Sequence, residues 1–276
     1  MGLSTNTRER EQIDILGINF DNVSMPEAVE RIEEMIHLGG SHIVCTPNVH
    51  HLIMAFKDTQ FNRVIQDSSL CLTDGMPIVW LSYLLGTPLK ERVAGSDLVS
   101  QLCQRSSSSG LRLFFLGAAP GVAEKARDVA QKRFPGCQIV GTYSPNPSEL
   151  NDSSASFLDF IVSVRPDILL VALGPPKQEK WLSQYLHRVG VPVGIGIGAS
   201  LDFMAGNLKR APRWMQRVGL EWFYRLIKEP RRLAGRYFYA NSIFIWKAVG
   251  ELIKFWKRSI GGRLQNRFQG LKIGRR

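Results

Sequence analysis

Six short apolar runs constrain the fold of this chain most strongly. Each is followed by glycine, proline or small polar residues, and segments long enough for helices separate them. Runs of this length between turn residues are typical of buried strands. Several are apolar throughout, as expected when helices cover both faces of a parallel sheet. The pattern therefore predicts an α/β fold with a doubly wound, mostly parallel, Rossmann-like sheet, whose strands lie at residues 42–45, 70–72, 111–116, 138–142, 167–173 and 193–197.

Other segments give weaker expectations. Residues 13–20 are expected to form one early strand at an edge of the sheet. A single helix is expected over residues 49–66, and another from residue 98 to about residue 105. The serine run at residues 106–109, followed by glycine, is interpreted as a turn.

The composition of the 276-residue chain is that of a soluble globular protein, with 44% hydrophobic and 21% charged residues. The N-terminal residues 1–14 lack the apolar core of a signal peptide, and no apolar run is long enough to span a membrane. These features favour a cytoplasmic protein. The cysteines are far apart and are interpreted as buried thiols in a reducing compartment: Cys45, Cys71, Cys103 and Cys137.

Asp74 is the first candidate for chemistry. The apolar run at residues 69–72 ends at Thr73 and Asp74, and Gly75 and Pro77 prevent the strand from continuing. A carboxylate at the carboxyl end of such a strand lies where open α/β sheets bind ligands. The alternative is that Asp74 caps the helix that begins near Pro77.

Polar or small residues follow the other strands as well. Since the carboxyl ends of parallel strands face one rim of the sheet, these residues should lie along that rim. This shared position favours a functional role for Asp74. The residues are Thr46 and Asn48, Thr73 and Asp74, Gly117 and Gly121, Tyr143, Lys177 and Gln178, and Ser200 and Asp202.

The segment from Gly117 to Gly121 could hold a phosphate, because glycine lets the backbone approach an anion and the following helix offers free N–H groups. It lacks the third glycine of a dinucleotide motif and the lysine of a Walker loop. A plain strand-to-helix turn is an equally good interpretation. Lys177 and Gln178 open a helix and would face an anion or a sugar hydroxyl, or alternatively form a solvated first turn.

Asp202 follows a glycine-rich strand and could bind a ribose hydroxyl or cap a helix. Arg92 lies in a polar loop, where its guanidinium could neutralise a leaving phosphate. The neighbouring His50 and His51 are interpreted as helix surface, since no histidine has metal-ligand spacing with cysteine or carboxylates. We therefore expect no metal and no cofactor.

The charge of the chain is divided unevenly. From Lys209 onward there are 18 Lys and Arg against three acids, whereas the preceding residues carry 17 basic and 21 acidic groups. This asymmetry predicts an α/β core over residues 1–206 and a basic helical appendage over residues 207–276. An anionic membrane surface or a nucleic acid is the expected partner of the appendage.

Within the appendage, residues 241–259 are predicted to form an amphipathic helix. Lys247, Glu251, Lys254 and Arg258 share one stripe, opposite a side that includes Ile245, Trp246, Val249, Leu252, Ile253 and Trp256. A basic amphipathic helix with tryptophans is typical of membrane surfaces, although packing on the core is the alternative. A helix over residues 214–227 could cover the site. The residues assigned to site cover or membrane contact are Arg213, Arg217, Arg225, Arg231, Arg232, Trp246 and Trp256.

Taken together, the motifs resemble those of the WecG/TagA/CpsF glycosyltransferases, in order and over nearly the whole chain from about Ile13 to the Arg-rich tail. The segments that carry the resemblance are Thr46-Pro47-Asn48, residues 73–77, residues 92–97, Leu116-Gly117 with Gly121, residues 174–179 and residues 196–202.

The resemblance implies metal-independent, inverting transfer of N-acetylmannosamine, its uronic acid or another sugar. The donor would be a UDP-sugar, and the acceptor a polyprenyl-diphosphate-linked sugar at the cytoplasmic face of a bacterial membrane. It also implies that Asp74 is the general base with Thr46 and Asn48 beside it, and that Arg92 and Gln178 bind substrate. Tyr143 and Met76 stand at positions that vary in the family and could select the sugar.

Two rival functions stay open. One is a nucleic-acid-binding protein that uses the basic tail. The aromatic residues of the tail share an apolar face with Ile and Leu, and this argues against a nucleic acid as partner. The other is a nucleotide-dependent Rossmann-like oxidoreductase or methyltransferase, which the missing G-x-G-x-x-G pattern disfavours. The sequence also leaves open a homo-oligomer.

Overall fold

A six-stranded parallel sheet forms the centre of the computed structural model, which describes residues 10–152 and 156–273. The predicted fold class is confirmed. The central sheet has the strand order β4-β3-β8-β7-β5-β6, and every neighbouring pair is parallel. The strands in chain order are β1 (Gln12–Ile15), β2 (Ile18–Asp21), β3 (His42–Cys45), β4 (Leu70–Cys71), β5 (Arg112–Gly117), β6 (Gln138–Tyr143), β7 (Ile168–Ala172) and β8 (Val193–Gly196).

Helices cover both faces of this sheet. They are α1 (Met25–Leu38), α2 (Val49–Ala55), α3 (Thr59–Gln66), α4 (Met76–Leu84), α5 (Gly95–Ser109), α6 (Val122–Arg133), α7 (Ser156–Val164), α8 (Lys177–Val189), α9 (Ser200–Met204), α10 (Arg213–Arg217), α11 (Glu221–Lys228) and α12 (Pro230–Ile273), with a 3₁₀ turn at Glu149–Asn151. Strand β7 shows the layering, since Leu170 packs with the α5 and α6 side while Leu169 packs with the α7 and α8 side.

The single strand expected over residues 13–20 is wrong. These residues form the antiparallel hairpin β1–β2, which is a separate two-stranded sheet. The chain reverses at Leu16 and Gly17, whose φ angles are +56° and +83°. Two successive positive φ angles are typical of a tight hairpin turn. The apolar side chains of the hairpin pack beneath α2 and α3 in a core shared with α12.

Two predicted helices have different bounds. The helix expected over residues 49–66 is divided into α2 and α3, because the Asp58 side chain accepts a hydrogen bond from Phe61 N and starts a new helix. The predicted serine turn is instead the last turn of α5. There the hydroxyls of Ser107, Ser108 and Ser109 donate back to helix carbonyls, and Gly110 ends the helix in the left-handed conformation.

The amphipathic helix expected over residues 241–259 is part of the longer helix α12. Its buried residues Ala240 and Phe244 belong to the core beneath the hairpin, and Leu252 packs against the same core. Five apolar side chains of the predicted helix are exposed instead: Ile245, Trp246, Val249, Ile253 and Trp256. The predicted apolar side is therefore divided: Leu252 packs on the core, whereas Trp246 and Trp256 face outward.

The four cysteines are buried and free, as predicted. Within residues 10–152 and 156–273, the helices are all too short or too polar to cross a bilayer.

Candidate active site

A cavity of about 320 Å³ opens at the carboxyl ends of four adjacent strands, β4, β3, β8 and β7. The loops that follow these strands supply most of its wall. The structure thereby brings together five of the predicted catalytic and substrate-binding residues, which all line the cavity: Thr46, Asn48, Asp74, Arg92 and Gln178.

Asp74 is held at the cavity by its backbone, whose N–H donates to Pro47 O at 3.0 Å. The N-cap of α4 is Gly75, and no side chain caps this helix, so Asp74 does not serve as the cap. Asp74 lines the cavity, and 27% of its side chain is exposed. Burial raises the pKa of Asp74 to about 7, and the negative charges of Glu221 and Asp97 add to this rise while Arg92 opposes it. A carboxylate with this pKa suits proton transfer near neutral pH.

Arg92 forms an ion pair with this carboxylate. Its Nη1 atom lies 4.0 Å from Asp74 Oδ1 and 3.0 Å from Glu221 Oε2, and its Nη2 atom lies 3.6 Å from Asp97 Oδ2. Arg210 completes the network by binding Asp97 at 2.5 Å and Glu221 at 3.4 Å. Two guanidinium groups and three carboxylates therefore form one network, of which Asp74, Arg92 and Glu221 line the cavity.

Glu221 is a cavity residue that the sequence did not single out. It is the first residue of α11 and reaches the core only through the tertiary fold, across 129 residues from Arg92. In the sequence, the feature that distinguishes Glu221 is that it is one of three acidic residues in a segment with 18 Lys and Arg.

Thr46 and Asn48 follow β3 and are fixed by different contacts. The Thr46 hydroxyl donates to Gly196 O at 3.0 Å, which ties the end of β3 to the end of β8. Asn48 caps α2, since its Oδ1 atom accepts hydrogen bonds from the N–H groups of His50 and His51. Both side chains thus have fixed positions at the cavity wall.

His51 continues from Asn48 into the protein, and its interpretation as helix surface is wrong. The side chain is buried and also borders the cavity. Its Nδ1 atom lies 2.9 Å from Asn48 Oδ1, and its Nε2 atom lies 3.7 Å from Glu179 Oε1. His51 therefore connects the first turn of α2 to the first turn of α8.

Glu179 is buried directly behind Gln178. Its Oε1 atom accepts a hydrogen bond from Gln178 Nε2 at 2.8 Å, while Oε2 has no hydrogen-bond partner in the described part of the chain. Burial raises the pKa of Glu179 to about 7. Gln178 Oε1 in turn accepts from Gly174 N at 3.1 Å and Gly198 N at 3.0 Å. A chain of polar contacts thus runs from Asn48 through His51 and Glu179 to Gln178.

Five predicted binding residues are not part of the cavity wall: Gly117, Gly121, Tyr143, Lys177 and Asp202. Gly117 and Gly121 follow β5 and Tyr143 ends β6, so they lie farther along the rim, beyond β7. Tyr143 donates to Glu149 Oε1 at 2.8 Å and stacks on Phe157. Lys177 is exposed at the start of α8, and Asp202 lies in the first turn of α9.

Gly117 has a packing role in this structure. Its φ angle is +100°, and a Cβ atom there would lie 2.8 Å from the carbonyl carbon of Ala172. Only glycine fits where β5 ends against β7.

The basic segment of the chain, which begins at Lys209, also contributes to the cavity wall. Trp222 and Arg225 from α11 line the cavity together with Asn241 from α12, and the Arg225 guanidinium lies 5.4 Å from the centre of the Phe203 ring. Arg231, Trp246 and Trp256 are exposed on α12. The side chains of Arg213, Arg217 and Arg232 lie outside the described part of the structure.

In the ranges 10–152 and 156–273, no three His, Cys, Asp or Glu side chains form a group that could hold a metal ion.

Residues 13–258 match the model of the glycosyl transferase WecG/TagA/CpsF family. The chain is also similar to an N-acetylglucosaminyldiphosphoundecaprenol N-acetyl-beta-D-mannosaminyltransferase of Bacillus spizizenii, with 36% identity over 193 residues, or 70% of this chain and 73% of the relative. An enzyme of the same description from Staphylococcus aureus (strain MW2) is 29% identical over 224 residues, which cover 80% of this chain and 87% of the relative. The region matched by the family model contains every residue that lines the cavity.

Proposed function

Because the chain belongs to the WecG/TagA/CpsF family of glycosyltransferases, which act in polysaccharide synthesis, we propose that it transfers N-acetylmannosamine or a closely related sugar, such as its uronic acid. In this proposal the donor is a UDP-sugar. The acceptor is N-acetylglucosamine linked through a diphosphate to a polyprenyl chain, in keeping with the description of the relatives. The transfer contributes to a cell-surface polysaccharide.

The observation that carries this proposal is the position of Asp74. Its carboxylate faces the cavity, its pKa is raised to about 7, and Arg92 lies 4.0 Å away. At neutral pH a substantial fraction of this carboxylate is ionised, and its affinity for a proton is high enough to serve as a general base.

The proposed reaction is a single displacement. Asp74 takes the proton of the acceptor hydroxyl while the hydroxyl oxygen forms a bond to the anomeric carbon of the donor. The bond between that carbon and the diphosphate oxygen breaks, and UDP leaves with the electron pair. Since attack and departure take place on opposite faces of the sugar, the anomeric configuration inverts.

The departing diphosphate requires positive charge. Arg92 and Arg225 line the cavity and can provide it without a metal ion in this proposal. Gln178, whose carbonyl oxygen is fixed by two backbone N–H groups, is suited to orient a sugar or diphosphate group beside them. Thr46 and Asn48 shape the cavity next to the base.

We also propose that residues 207–276 act as one appendage that covers the site and contacts an anionic membrane from its inner, cytoplasmic face. Trp222 and Arg225 in the cavity wall support the first role. Trp246 and Trp256 support the second, since they are 75% and 64% exposed on a helix with many basic residues.

The test is a product analysis with the purified full-length chain. A panel of UDP-sugars is incubated with a prenyl-diphosphate-linked N-acetylglucosamine, the products are weighed by mass spectrometry, and the new linkage is assigned by NMR. We expect UDP-N-acetylmannosamine or its uronic acid to give a product one sugar larger, with inverted configuration. Failure of every UDP-sugar would contradict the proposed donor, and retention of configuration would contradict the single displacement.

A further inference from the structure

The outer face of α4 carries an apolar stripe that begins at the candidate active site. Met76, Trp80, Tyr83 and Leu84 are spaced by four, three and one residues, so they share one side of the helix. Trp80 is 45% exposed, Tyr83 59% and Leu84 60%. The opposite side of α4 is buried in the core through Ile78 and Leu81.

Helix α4 contains no charged residue at all. Helices at the surface of soluble proteins ordinarily carry charged or polar side chains on the side that faces water. A stripe of this kind indicates a surface that receives an apolar partner.

The stripe is continuous with the cavity at its first residue. Met76 lines the cavity two residues after Asp74, and Gly219 lines it beside Met76. The backbone of Gly219 rests directly on the stripe, since a Cβ atom there would lie 2.6 Å from Met76 Cβ and 2.9 Å from the Trp80 ring. From Met76 to Leu84 the stripe extends about 12 Å away from the catalytic carboxylate.

Helix α12 approaches the outer end of the α4 stripe. The residue after the α4 C-cap, Gly86, lies against the ring of Phe255, with 3.4 Å between the Phe255 ring and a Cβ atom built at Gly86. Asn241, fourteen residues earlier on α12, lines the cavity. Both helices therefore run between the cavity and a point near the outer end of the stripe, where α12 carries the exposed Ile253 and Trp256.

We propose that the α4 stripe binds the first isoprenoid units of the acceptor, as the chain passes from the cavity towards the membrane. This inference rests on the proposed function, because it assumes a prenyl-linked acceptor. Such an acceptor must place its sugar hydroxyl at Asp74, so its apolar chain has to leave through the cavity opening. The stripe that begins at Met76 offers uncharged aromatic and aliphatic surface at this opening.

The test uses the double variant Tyr83→Gln/Leu84→Gln. Both side chains are more than half exposed and neither lines the cavity, so the fold and the chemistry should be retained. The matched control is Leu38→Gln, which changes a 65% exposed leucine on α1. Each protein is assayed with two acceptors in detergent micelles, one with an undecaprenyl chain and one with a single isoprenoid unit, and its mass in solution is measured.

For the double variant we expect the KM for the undecaprenyl acceptor to rise about tenfold. The KM for the short acceptor and both kcat values should stay within a factor of two of the unmodified protein. The control should match the unmodified protein with both acceptors.

Two results would overturn the proposal: an unchanged KM for the long acceptor, or an equal loss with both acceptors. An equal loss together with a fall in the mass in solution would assign the stripe to a contact with a second copy. If the unmodified protein uses the two acceptors equally well, the stripe proposal fails while the proposed transfer stands. If it uses neither acceptor with any donor, the proposed function itself fails.

Discussion

The guanidinium of Arg92 is paired with the carboxylate of Glu221, with 3.0 Å between Nη1 and Oε2. The first residue belongs to a loop of the α/β core and the second begins α11 in the basic segment. This ion pair joins the α/β core to the basic C-terminal part of the chain at the cavity. There Arg92 Nη1 also lies 4.0 Å from Asp74 Oδ1. The basic segment therefore affects the electrostatics of the site directly.

We predict that Glu221→Gln shifts the activity profile to lower pH. Glu221 is one of the charges that raise the pKa of Asp74, so its neutralisation should lower that pKa. The acid limb of kcat/KM, measured between pH 5 and 9, should move to lower pH with it. The KM for the UDP-sugar should also fall, because a diphosphate no longer competes with Glu221 for Arg92. An acid limb that stays in place would contradict this electrostatic role.

We predict that Asp74→Asn stabilises the protein at neutral and alkaline pH. The pKa of Asp74 is about 7 in the folded protein, against an ordinary value of 3.8. Folding therefore favours the protonated form, and the contribution of Asp74 to stability falls as the pH rises from about 4 to about 7. Asparagine does not titrate, so the variant should gain at least about 1 kcal/mol at pH 8.

Thermal unfolding measured from pH 4.5 to pH 8 checks this sign. The advantage of the asparagine variant should grow between pH 4.5 and 7 and stay level above. The same substitution at Asp128, whose side chain is 58% exposed, serves as the control and should show no such trend. An advantage that does not grow between pH 4.5 and pH 7 would disprove a raised pKa at Asp74.

We predict different outcomes for two substitutions of Glu179. Glu179→Gln retains an acceptor for Gln178 Nε2 and resembles the neutral carboxyl that burial favours. Its KM for the UDP-sugar and its melting temperature should therefore change little. Glu179→Ala removes the acceptor behind Gln178 and leaves a buried gap, so the KM should rise about tenfold and stability should fall by about 1–3 kcal/mol. Equal loss in both variants would show that the negative charge itself is required.

We predict that the exposed tryptophans of α12 bind membranes. The full-length chain should float with liposomes that contain anionic lipid at low salt, and Trp246→Gln/Trp256→Gln should reduce the bound fraction several-fold. The control is Phe160→Gln, which replaces a 39% exposed aromatic residue on α7. If the unmodified chain does not float at low salt, α12 is not a membrane-binding surface.

The sheet was predictable because continuous apolar runs depend on local sequence alone. The same is true of Asp74, Thr46 and Asn48, which directly follow strands and therefore had to lie on the rim. The hairpin was missed because its turn contains Leu16, which seldom adopts a positive φ angle.

The strand order could not be read from the sequence, and it decides which strand ends become neighbours. Strand β8 lies between β3 and β7, so the loops after these strands share one cavity with the loop after β4. Strands β5 and β6 lie beyond β7, which places Gly117 and Tyr143 away from that cavity wall. Glu221 reaches the site through a tertiary contact that no local pattern encodes, and the buried environment of His51 depends on its tertiary contact with Glu179.

The most direct test of the central claim is the turnover of Asp74→Asn. The substitution keeps the size of the side chain but removes the base, so kcat with UDP-N-acetylmannosamine and the prenyl-linked acceptor should fall about a hundredfold or more. The acid limb of the profile near pH 7 should disappear at the same time. A folded variant with near-normal turnover would remove Asp74 from the role of general base and contradict the proposed mechanism.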